Sequence, residues 1–545
     1  MITAPFILAS AAAPADVAWR RSDRPVGYAA FVLHTLLAAN LAALIVQIGV
    51  GPESVNLATA CIAFASSAGM LAYLLWTPAL QTHPVSTFAL LGFCFTTQMG
   101  ALLGQSAFGV ALADNLRQPM ATFAWLAAFQ TVAMAMHAFY RTVLSPAKPA
   151  GGSTVRGLLE RLGLYTPPGT GTLWFMGYLG LLAFLLGSGR EGVFAKTMQG
   201  MAFLTWAPFL IPMYQLHLGR WSRQAPQLRF FSLLVEQLGL ASNSRAVMLS
   251  GFMTVSLFAL LLLLRSHEPV RWMRVGAAGL AALLLGLAAV PVSDLATAMV
   301  VARKVRGTVS APEMVKETWR AFQQPEVLQA DREARAAQTR TRYDEHYIDN
   351  VLLARLVETK FHDNALFFAG TLSRSDQEQL QETTLKLFVS VLPAPAIRRL
   401  GIDLDKADFR FSMGDYLSHL SQGGPLGGYR TGSSLAHGLA LMGVGYLAVY
   451  AVLCVMAFLA LDLLAARRRE GVVLVSAVGM LLIWDIFLGG ITGESVHSWI
   501  TQYLRQIPQT VVLFLLVAGF CKGVTWLFGG LTPPTRPGLT RRTAT

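Results

Sequence analysis

A polar stretch of roughly 130 residues, from about residue 303 to residue 434, interrupts a chain that otherwise consists of apolar runs of membrane-spanning length. About 18 apolar residues in a helix suffice to cross the roughly 30 Å hydrocarbon core of a bilayer. Eleven such runs lie near residues 26–49, 55–76, 85–113, 119–140, 171–188, 193–216, 246–264, 275–301, 435–464, 471–490 and 509–529. The residues are 54% hydrophobic and 13% charged, whereas a soluble domain is about 25% charged, so most of the surface faces lipid.

The net charge of +13 is concentrated in the short loops between these runs. Lys and Arg in short loops are typical of the cytoplasmic side of a membrane and do not indicate nucleic-acid binding. Basic loops lie at residues 20–24, 141–161, 265–274 and 467–469, and the C-terminal tail is also basic. The polar stretch is then predicted to be external.

This orientation requires an odd number of crossings before the polar stretch, but the list above contains eight. Residues 227–241, QLRFFSLLVEQLGLA, are the best candidate for the ninth, as a short or broken helix that ends just before Arg245. The alternative is an interfacial amphipathic helix, which would make the polar stretch cytoplasmic.

The predicted fold class is therefore all-α: a polytopic integral membrane helical bundle of about 12 spans with one large helical loop domain. Helical periodicity in that loop is clearest at residues 313–323, 345–361, 377–390 and 413–420. The predicted organisation is a cytoplasmic N-terminus, N-terminal spans, an external domain, C-terminal spans and a cytoplasmic tail, at residues 1–25, 26–302, 303–434, 435–530 and 531–545.

The four cysteines all fall inside apolar runs and are interpreted as small buried hydrophobes. No His or Cys cluster has metal-ligand spacing, so no metal is predicted. Residues 1–19 lack a basic region followed by a sustained apolar run, so no signal peptide is expected.

A glycine-rich loop at residues 423–428 leads into the helix that carries His437. Ser433 or Ser434 is a natural N-cap for this helix, whose positive end would suit an anion such as phosphate. If these residues have only a structural role, the glycines turn the chain, the Arg430 side chain extends to the membrane interface, and His437 is a hydrogen-bonded polar residue among helices.

Two stretches resemble the O-antigen polymerase and ligase superfamily of bacterial inner-membrane enzymes. Residues 238–246, LGLASNSRA, are similar to its Ser-Arg motif, and residues 427–437, GGYRTGSSLAH, are similar to its glycine and histidine motif. The chain departs from the family where Gly438 follows the histidine and where Gly443 and Gly445 are closely spaced. Residues 342–350, with Arg355 and residues 360–364, resemble the external loop of the exopolysaccharide polymerases.

The resemblance implies a metal-independent glycosyltransferase without cofactor, in the bacterial inner membrane, with its large loop in the periplasm. It would polymerise oligosaccharide repeat units linked to undecaprenyl diphosphate into surface polysaccharide or exopolysaccharide. A chain-length regulator and a flippase are the further partners implied.

Such a reaction needs arginines for the departing diphosphate and a base for the attacking sugar hydroxyl. The predicted catalytic residues are Arg245, Arg430 and His437, and His437 would act either as the base or as a hydrogen-bond donor that orients the diphosphate. The predicted substrate-binding residues are Arg342, Arg355, Asp349, Asp363, Ser433 and Ser434. Asp349, Asp363 and Asp415 are alternative bases, and Asp294, Asp485, Glu494 and His497 are candidates for lining a lipid or sugar pocket.

Three other functions compete with polymerisation. A ligase of the same superfamily would transfer the finished glycan to another acceptor. A transporter of glycans or small molecules would also need many spans and buried polar residues, although no internal repeat relates the two halves. A sensor or scaffold would not need a dozen spans.

Overall fold

The structure is a computed structural model. It describes residues 25–145, 154–187, 193–217, 224–266, 268–303, 309–337, 345, 347–348, 350, 353–392, 394–467 and 473–529. Within these residues, eight helical segments are long and apolar enough to cross a membrane: Gly27–Val50, Ser54–Trp76, Pro84–Ala107, Pro119–Leu144, Thr170–Gly187, Val247–Leu264, Ser434–Asp462 and Val496–Val524. The chain is thus a multi-pass, all-α membrane protein.

Thirteen helices precede the polar stretch. They are α1 (Gly27–Val50), α2 (Ser54–Trp76), α3 (Ala79–Thr82), α4 (Pro84–Cys94), α5 (Gly100–Ala107), α6 (Pro119–Phe139), α7 (Thr154–Arg161), α8 (Thr170–Gly187), α9 (Val193–Met201), α10 (Ile211–His217), α11 (Ala225–Ala241), α12 (Arg245–Leu264) and α13 (Trp272–Ala302). Two π-helical turns, Phe95–Met99 and Tyr140–Leu144, follow α4 and α6, and a 3-10 helix, Ala202–Leu210, joins α9 to α10.

Among the described residues of the polar stretch, six helices and two 3-10 turns after residue 309 have defined bounds. The helices are α14 (Ala311–Phe322), α15 (Pro325–Ala337), α16 (Thr359–Gly370), α17 (Arg374–Ser390), α18 (Ala394–Arg399) and α19 (Met413–Gln422), and the turns are Leu353–Arg355 and Lys406–Phe409. The helices predicted at residues 313–323, 377–390 and 413–420 are confirmed as α14, α17 and α19.

Six helices and one hairpin follow. The helices are α20 (Ser434–Met442), α21 (Tyr446–Asp462), α22 (Ala477–Leu481), α23 (Ile483–Gly489), α24 (Val496–Thr501) and α25 (Ile507–Gly529). A 3-10 turn, Gly443–Gly445, joins α20 to α21, and a π-helical turn, Gln502–Gln506, joins α24 to α25. Strands β1 (Ala465–Arg467) and β2 (Val473–Val475) pair antiparallel, with Ala466 opposite Leu474.

Besides the runs at residues 85–113 and 435–464, which contain a π-helical turn and a 3-10 turn, two predicted spans are not continuous α-helices. The run at residues 193–216 is interrupted by the Ala202–Leu210 3-10 helix, which contains Pro208, a residue that cannot donate a backbone hydrogen bond. The run at residues 471–490 divides into β2, α22 and α23. The last run, by contrast, begins earlier than predicted, because the helical segment starts at Val496.

The helical prediction for residues 345–361 is wrong over most of its length, because α16 begins only at Thr359. Tertiary contacts compete with the local helical preference. The Tyr347 hydroxyl donates to the Leu112 carbonyl oxygen at 2.6 Å, and the Gln105 amide donates to the Tyr347 carbonyl oxygen at 2.9 Å. This part of the polar stretch is therefore fastened to the loop after α5.

Small residues allow the apolar helices to pack closely, as is usual in membranes. A Cβ at Gly92 in α4 would lie 1.9 Å from the Phe487 carbonyl oxygen of α23. A Cβ at Gly180 in α8 would lie 2.1 Å from the Thr205 nitrogen of the 3-10 helix. At these crossings, backbone therefore lies directly against backbone.

Contacts between distant segments define the two ends of the bundle. At the end where α1 begins, Tyr28 N–H donates to the Glu268 carbonyl oxygen at 3.0 Å. At the same end, the Tyr165 hydroxyl donates to the Leu463 carbonyl oxygen at 2.8 Å. The opposite end, where α1 finishes and α6 begins, carries the described part of the polar stretch from residue 345 onward.

A buried polar cluster lies between α2, α4, α6 and α21, and we call it the Asp462 cluster: Tyr73, Ser86, His137, Tyr140 and Asp462. Tyr73 hydroxyl donates to His137 Nδ1 at 2.8 Å, so His137 Nε2 carries the proton and donates to Ser86 Oγ at 3.0 Å. Ser86 Oγ and the Tyr140 hydroxyl donate to Asp462 Oδ2 at 2.7 and 3.1 Å. Four helices are thereby tied by one directional chain of hydrogen bonds.

Candidate functional site

A cavity of about 630 Å³ opens where the polar stretch meets the membrane helices. Its polar lining residues include Gln199, Glu358, His362, Thr431, Asp485, Thr492, Glu494, Gln502, Gln506 and Thr510. Its apolar lining residues include Phe203, Phe361, Leu482, Ile486, Leu488 and Ile507. The lining residues come from α16 and the residue before it, from the segment before α20, and from elements earlier and later in the chain than the polar stretch, among them α9, α23 and α25.

Carboxylates dominate the charge of this cavity. Glu358, Asp485 and Glu494 line it, and the last two side chains are exposed to it. None of the described residues that line the cavity is Lys or Arg. Asp485 and Glu494 were among the acids expected to line a pocket. The local charge favours hydroxyl groups or cations over a bare anion.

The surroundings of Glu494 raise the pKa of its carboxyl group. Burial raises its pKa above the usual range, the nearby Asp415 charge raises it further, and a hydrogen bond from the Met413 backbone N–H opposes this rise. Met413 N–H donates to Glu494 Oε1 at 3.2 Å. A carboxylate whose pKa is shifted towards neutrality suits proton transfer in a cleft.

The π-helical turn between α4 and α5 positions α16 at the cavity. A π-turn breaks the regular α-helical pattern of hydrogen bonds, which leaves backbone carbonyls for other partners. Here the Thr96 carbonyl oxygen accepts from Glu358 N–H at 2.8 Å, and the Thr97 carbonyl oxygen accepts from Thr359 Oγ1 at 2.8 Å. A second π-turn, Gln502–Gln506, supplies Gln502 and Gln506 to the wall.

Two glycines allow the segment before α20 to pass between neighbouring backbones. A Cβ at Gly432 would lie 2.4 Å from the Glu494 carbonyl oxygen, and a Cβ at Gly414 would lie 2.4 Å from the Arg430 carbonyl oxygen. Asp415 organises the preceding turn by accepting from Tyr429 N–H at 2.7 Å and Arg430 N–H at 3.1 Å. Thr431 and Gly432 thereby reach the cavity wall.

Ser433 is the N-cap of α20, as predicted, and its Oγ accepts from Ala436 N–H at 3.2 Å. The anion site expected at this helix end is largely occupied by the protein itself, because Ser434 N–H donates to the Gly493 carbonyl oxygen at 2.7 Å. Ser434 is fully buried, and its Oγ has no hydrogen-bond partner among the described atoms.

His437 is fully buried and does not line the cavity. Its Nδ1 accepts from Val496 N–H at 3.3 Å, and its Nε2 lies 2.9 Å from Thr384 Oγ1. Thr384 donates its hydrogen to the Leu380 carbonyl oxygen, so its oxygen accepts from His437 Nε2–H. Both imidazole nitrogens therefore join α20 to α17 and α24, which matches the satisfied polar role weighed against catalysis.

Asp363 is fully buried at the junction of the polar stretch and α6. Its carboxylate accepts from Arg117 N–H at 2.7 Å, Gln118 N–H at 3.0 Å and Thr122 Oγ1 at 2.9 Å. Lys360 Nζ lies 3.9 Å from Oδ2. The carboxylate thus caps α6 from a distant part of the chain and is separated from the cavity wall.

Of the four predicted arginines, the structure describes the side chain of Arg430 alone. Arg430 Nη1 donates to Ser418 Oγ at 2.6 Å, outside the cavity wall. Arg245 is the first residue of α12, and Arg355 ends a 3-10 turn, but their side chains lie outside the described part of the structure. Arg342 and Asp349 lie outside the described residues altogether.

His362 and Glu358 are two ionisable residues of the cavity lining that the sequence analysis did not propose as site residues. His362 is 3% exposed, and burial lowers its pKa to about 4. The available signal was in α16 itself: residues 359–364, TKFHDN, form part of a helix yet carry polar residues on every face. A helix that buries polar residues on all sides is a candidate functional element.

No protein-family model, curated protein or solved structure matches this chain. The fold and the cavity therefore define a class only: a multi-pass α-helical membrane protein with a polar cavity beside its polar stretch.

Proposed function

We propose that the chain is a membrane glycosyltransferase that joins oligosaccharide repeat units carried on undecaprenyl diphosphate. The observation that carries this proposal is the mixture of polar and apolar side chains that line one cavity where the polar stretch meets the membrane helices. An amphiphilic substrate, with a lipid chain in the bilayer and sugars outside it, suits such a mixed lining.

We also propose twelve crossings with the polar stretch in the periplasm of a bacterial inner membrane. α11 and α12 are joined by a short turn at Ser242, Asn243 and Ser244 and pack against each other, which suits two successive crossings. Arg141, Arg156 and Arg265, from the basic loops near residues 141–161 and 265–274, bind Thr77, Asp462 and Val473 at the end of the bundle opposite the described part of the polar stretch from residue 345 onward. Clustered Arg at that end supports a cytoplasmic side there.

Glu494 is the proposed general base of this reaction. The acceptor hydroxyl oxygen forms a bond to the anomeric carbon, and its proton passes to Glu494. The bond from that carbon to the diphosphate oxygen breaks, and the diphosphate leaves with the electron pair. Arg245, Arg342, Arg355 and Arg430 remain the predicted ligands of the diphosphate, and Asp349 and Ser434 remain predicted substrate contacts.

The first test replaces Glu494 by Gln, which keeps an oxygen acceptor for Met413 N–H but cannot take a proton at neutral pH. Loss of a general base lowers a rate by about 100-fold or more. We expect that loss in polymer formation by membranes supplied with lipid-linked repeat units. Glu382→Gln, at an exposed residue of α17, is the matched control and should retain wild-type activity.

Deletion of the gene in its host separates polymerase from ligase. Single repeat units replacing long chains support the polymerase, and long chains retained on undecaprenyl diphosphate support the ligase. An unchanged glycan profile would refute both.

A transporter is the second candidate, because three carboxylates without a described Lys or Arg in the same wall also suit cation or proton transport. Proton flux into proteoliposomes, followed with an internal pH-sensitive dye, tests it. Flux that Glu494→Gln abolishes, together with an unchanged glycan profile, would favour transport.

A further inference from the structure

The imidazole of His362 forms part of the cavity wall, and one of its nitrogens has no partner. Nδ1 lies 2.8 Å from Ser433 Oγ, whereas Nε2 is buried without a hydrogen-bond partner among the described atoms. A buried polar atom without a partner is costly to a folded protein and calls for an explanation. The position of the ring beside a cavity supplies one, because a ligand there could accept a hydrogen bond.

Ser433 determines which nitrogen of His362 carries the proton. As the N-cap of α20, Ser433 Oγ accepts from Ala436 N–H, so its own hydrogen is available to donate. The neighbour at donating distance among the described atoms is His362 Nδ1, and the arrangement in which the Ser433 hydroxyl hydrogen has an acceptor is the one that leaves this nitrogen unprotonated. A neutral imidazole has one N–H, so Nε2 bears it. The low pKa of His362, about 4 because of burial, keeps the ring neutral at physiological pH.

We infer that His362 Nε2–H is a hydrogen-bond donor for an oxygen of a polyhydroxylated ligand in this cavity, and that Ser433 is the positioning residue that orients its proton. The surrounding carboxylates can accept from hydroxyl groups, whereas His362 Nε2–H needs an acceptor, so one ligand that satisfies both must offer hydroxyl donors and an acceptor oxygen. A sugar meets both requirements. The identity of the ligand as a lipid-linked sugar rests on the proposed function, whereas the protonation of His362 does not.

Contrast with His437 supports this assignment. Both rings are buried, and both interact with α20 or its cap. The two nitrogens of His437 are used by Val496 and Thr384, whereas only Nδ1 of His362 is used. The His362 ring therefore has one nitrogen for which the described residues provide no hydrogen-bond partner.

The first experiment measures binding to the full-length protein in nanodiscs. The probes are the lipid-linked repeat unit isolated from the deletion strain and undecaprenyl diphosphate without sugar. We expect His362→Phe, which removes the donor, to weaken binding of the repeat unit by about tenfold, the order expected of one hydrogen bond to a buried group. His362→Gln, which retains an N–H donor, should bind the repeat unit more tightly than His362→Phe.

The sugar-free probe distinguishes the two sources of an acceptor oxygen. Undecaprenyl diphosphate should bind His362→Phe and the wild type equally if the oxygen belongs to sugar. An equal loss for both probes would show that His362 contacts phosphate and would overturn the sugar assignment. Unchanged binding of both probes to His362→Phe would overturn the donor role.

The second experiment tests Ser433 without any ligand. Protein labelled with ¹⁵N-histidine should show His362 with Nδ1 unprotonated and Nε2 protonated at pH 7, with the signal assigned from the spectrum of His362→Gln. Ser433→Ala should alter this tautomer signal and weaken binding of the repeat unit, whereas Ser433→Thr retains the hydroxyl and should preserve both.

The variant Ser476→Ala is the control for the effect of losing a helix cap by itself. Ser476 caps α22 by accepting from Gly479 N–H at 3.2 Å and does not line the cavity. We expect both alanine variants to lose stability, but only Ser433→Ala to change the His362 spectrum. An unchanged spectrum in Ser433→Ala would refute the positioning role, whatever the glycan profile of the deletion strain shows about the proposed function.

Discussion

The Asp462 cluster and the cavity both place histidine and carboxylate groups inside the protein, but they use hydrogen bonds differently. In the Asp462 cluster, both nitrogens of His137 are bonded, and the Asp462 carboxylate accepts from Ser86 and Tyr140. In the cavity, His362 has one nitrogen without a described partner, and Asp485 and Glu494 are exposed. The first arrangement is closed, and the second is open to a ligand.

Buried polar groups therefore have two different roles in this protein. A satisfied network joins helices and makes a unique packing more stable. A donor without a hydrogen-bond partner does not stabilise helix packing. Next to a cavity, it is placed to bind a ligand that enters. Changes in the Asp462 cluster should therefore affect folding, and changes in the cavity wall should affect binding.

The largest expected effect on stability is that of Asp462→Leu. The substitution leaves the hydroxyls of Ser86 and Tyr140 and the Ser86 N–H without their buried acceptor. Each unsatisfied buried group costs about 1 to 3 kcal/mol, so we expect a loss of at least about 3 kcal/mol in the free energy of unfolding in detergent. Asp462→Asn keeps one oxygen acceptor and should lose less. Wild-type stability in Asp462→Leu would contradict the closed network.

The next effect is a pH dependence caused by His362. Its pKa is about 4 in the folded protein and about 6.5 in an unfolded chain, so the unfolded chain binds more protons between these values. The stability contribution is fully present above pH 6.5 and is lost as pH falls towards 4. It amounts to about 3 kcal/mol, since one pKa unit corresponds to about 1.4 kcal/mol. The free energies of unfolding of the wild type and of His362→Phe, measured from pH 7 to pH 4, should change by amounts that differ by this value. Parallel curves would show that His362 does not titrate in this way.

The smallest expected effect is that of Gly432→Ala, which tests how tightly the segment before α20 is held. The new Cβ would lie 2.4 Å from the Glu494 carbonyl oxygen and 3.0 Å from Gly414 N. Overpacking of this kind typically costs about 1 to 3 kcal/mol. Gly370→Ala is the matched control, because nothing lies within 4 Å of its Cβ and alanine favours the helix. Equal melting temperatures for both variants would mean that the segment can move aside.

Local signals in the sequence predicted several elements well. Helical periodicity at residues 377–390 predicted α17, and Ser433 was one of the two predicted caps of α20. Residues 227–241 are helical as part of α11, with a proline in its first turn, and the crossing proposed for them stays a prediction. Such signals act within a few residues, so they do not depend on the rest of the fold.

The cavity was harder to predict because its groups come from distant parts of the chain. Asp485 and Glu494 were suspected because acids near apolar runs are costly, but nothing local connects them to Glu358 or His362. Conversely, His437 looked catalytic next to a glycine-rich loop. Its partners Val496 and Thr384, which use both ring nitrogens, lie far from it in sequence.

The sequence by itself determined the class of this protein, because apolar length and the scarcity of charge require lipid as the main surroundings. It also predicted three helices of the polar stretch, α14, α17 and α19, through residue periodicity. Only the tertiary structure decided that Thr96 and Thr97 hold α16 at the cavity, that Asp363 caps α6, and that His362 retains an unpartnered nitrogen. These depend on hydrogen bonds between residues far apart in the chain, and such bonds are specified by packing and not by any local pattern.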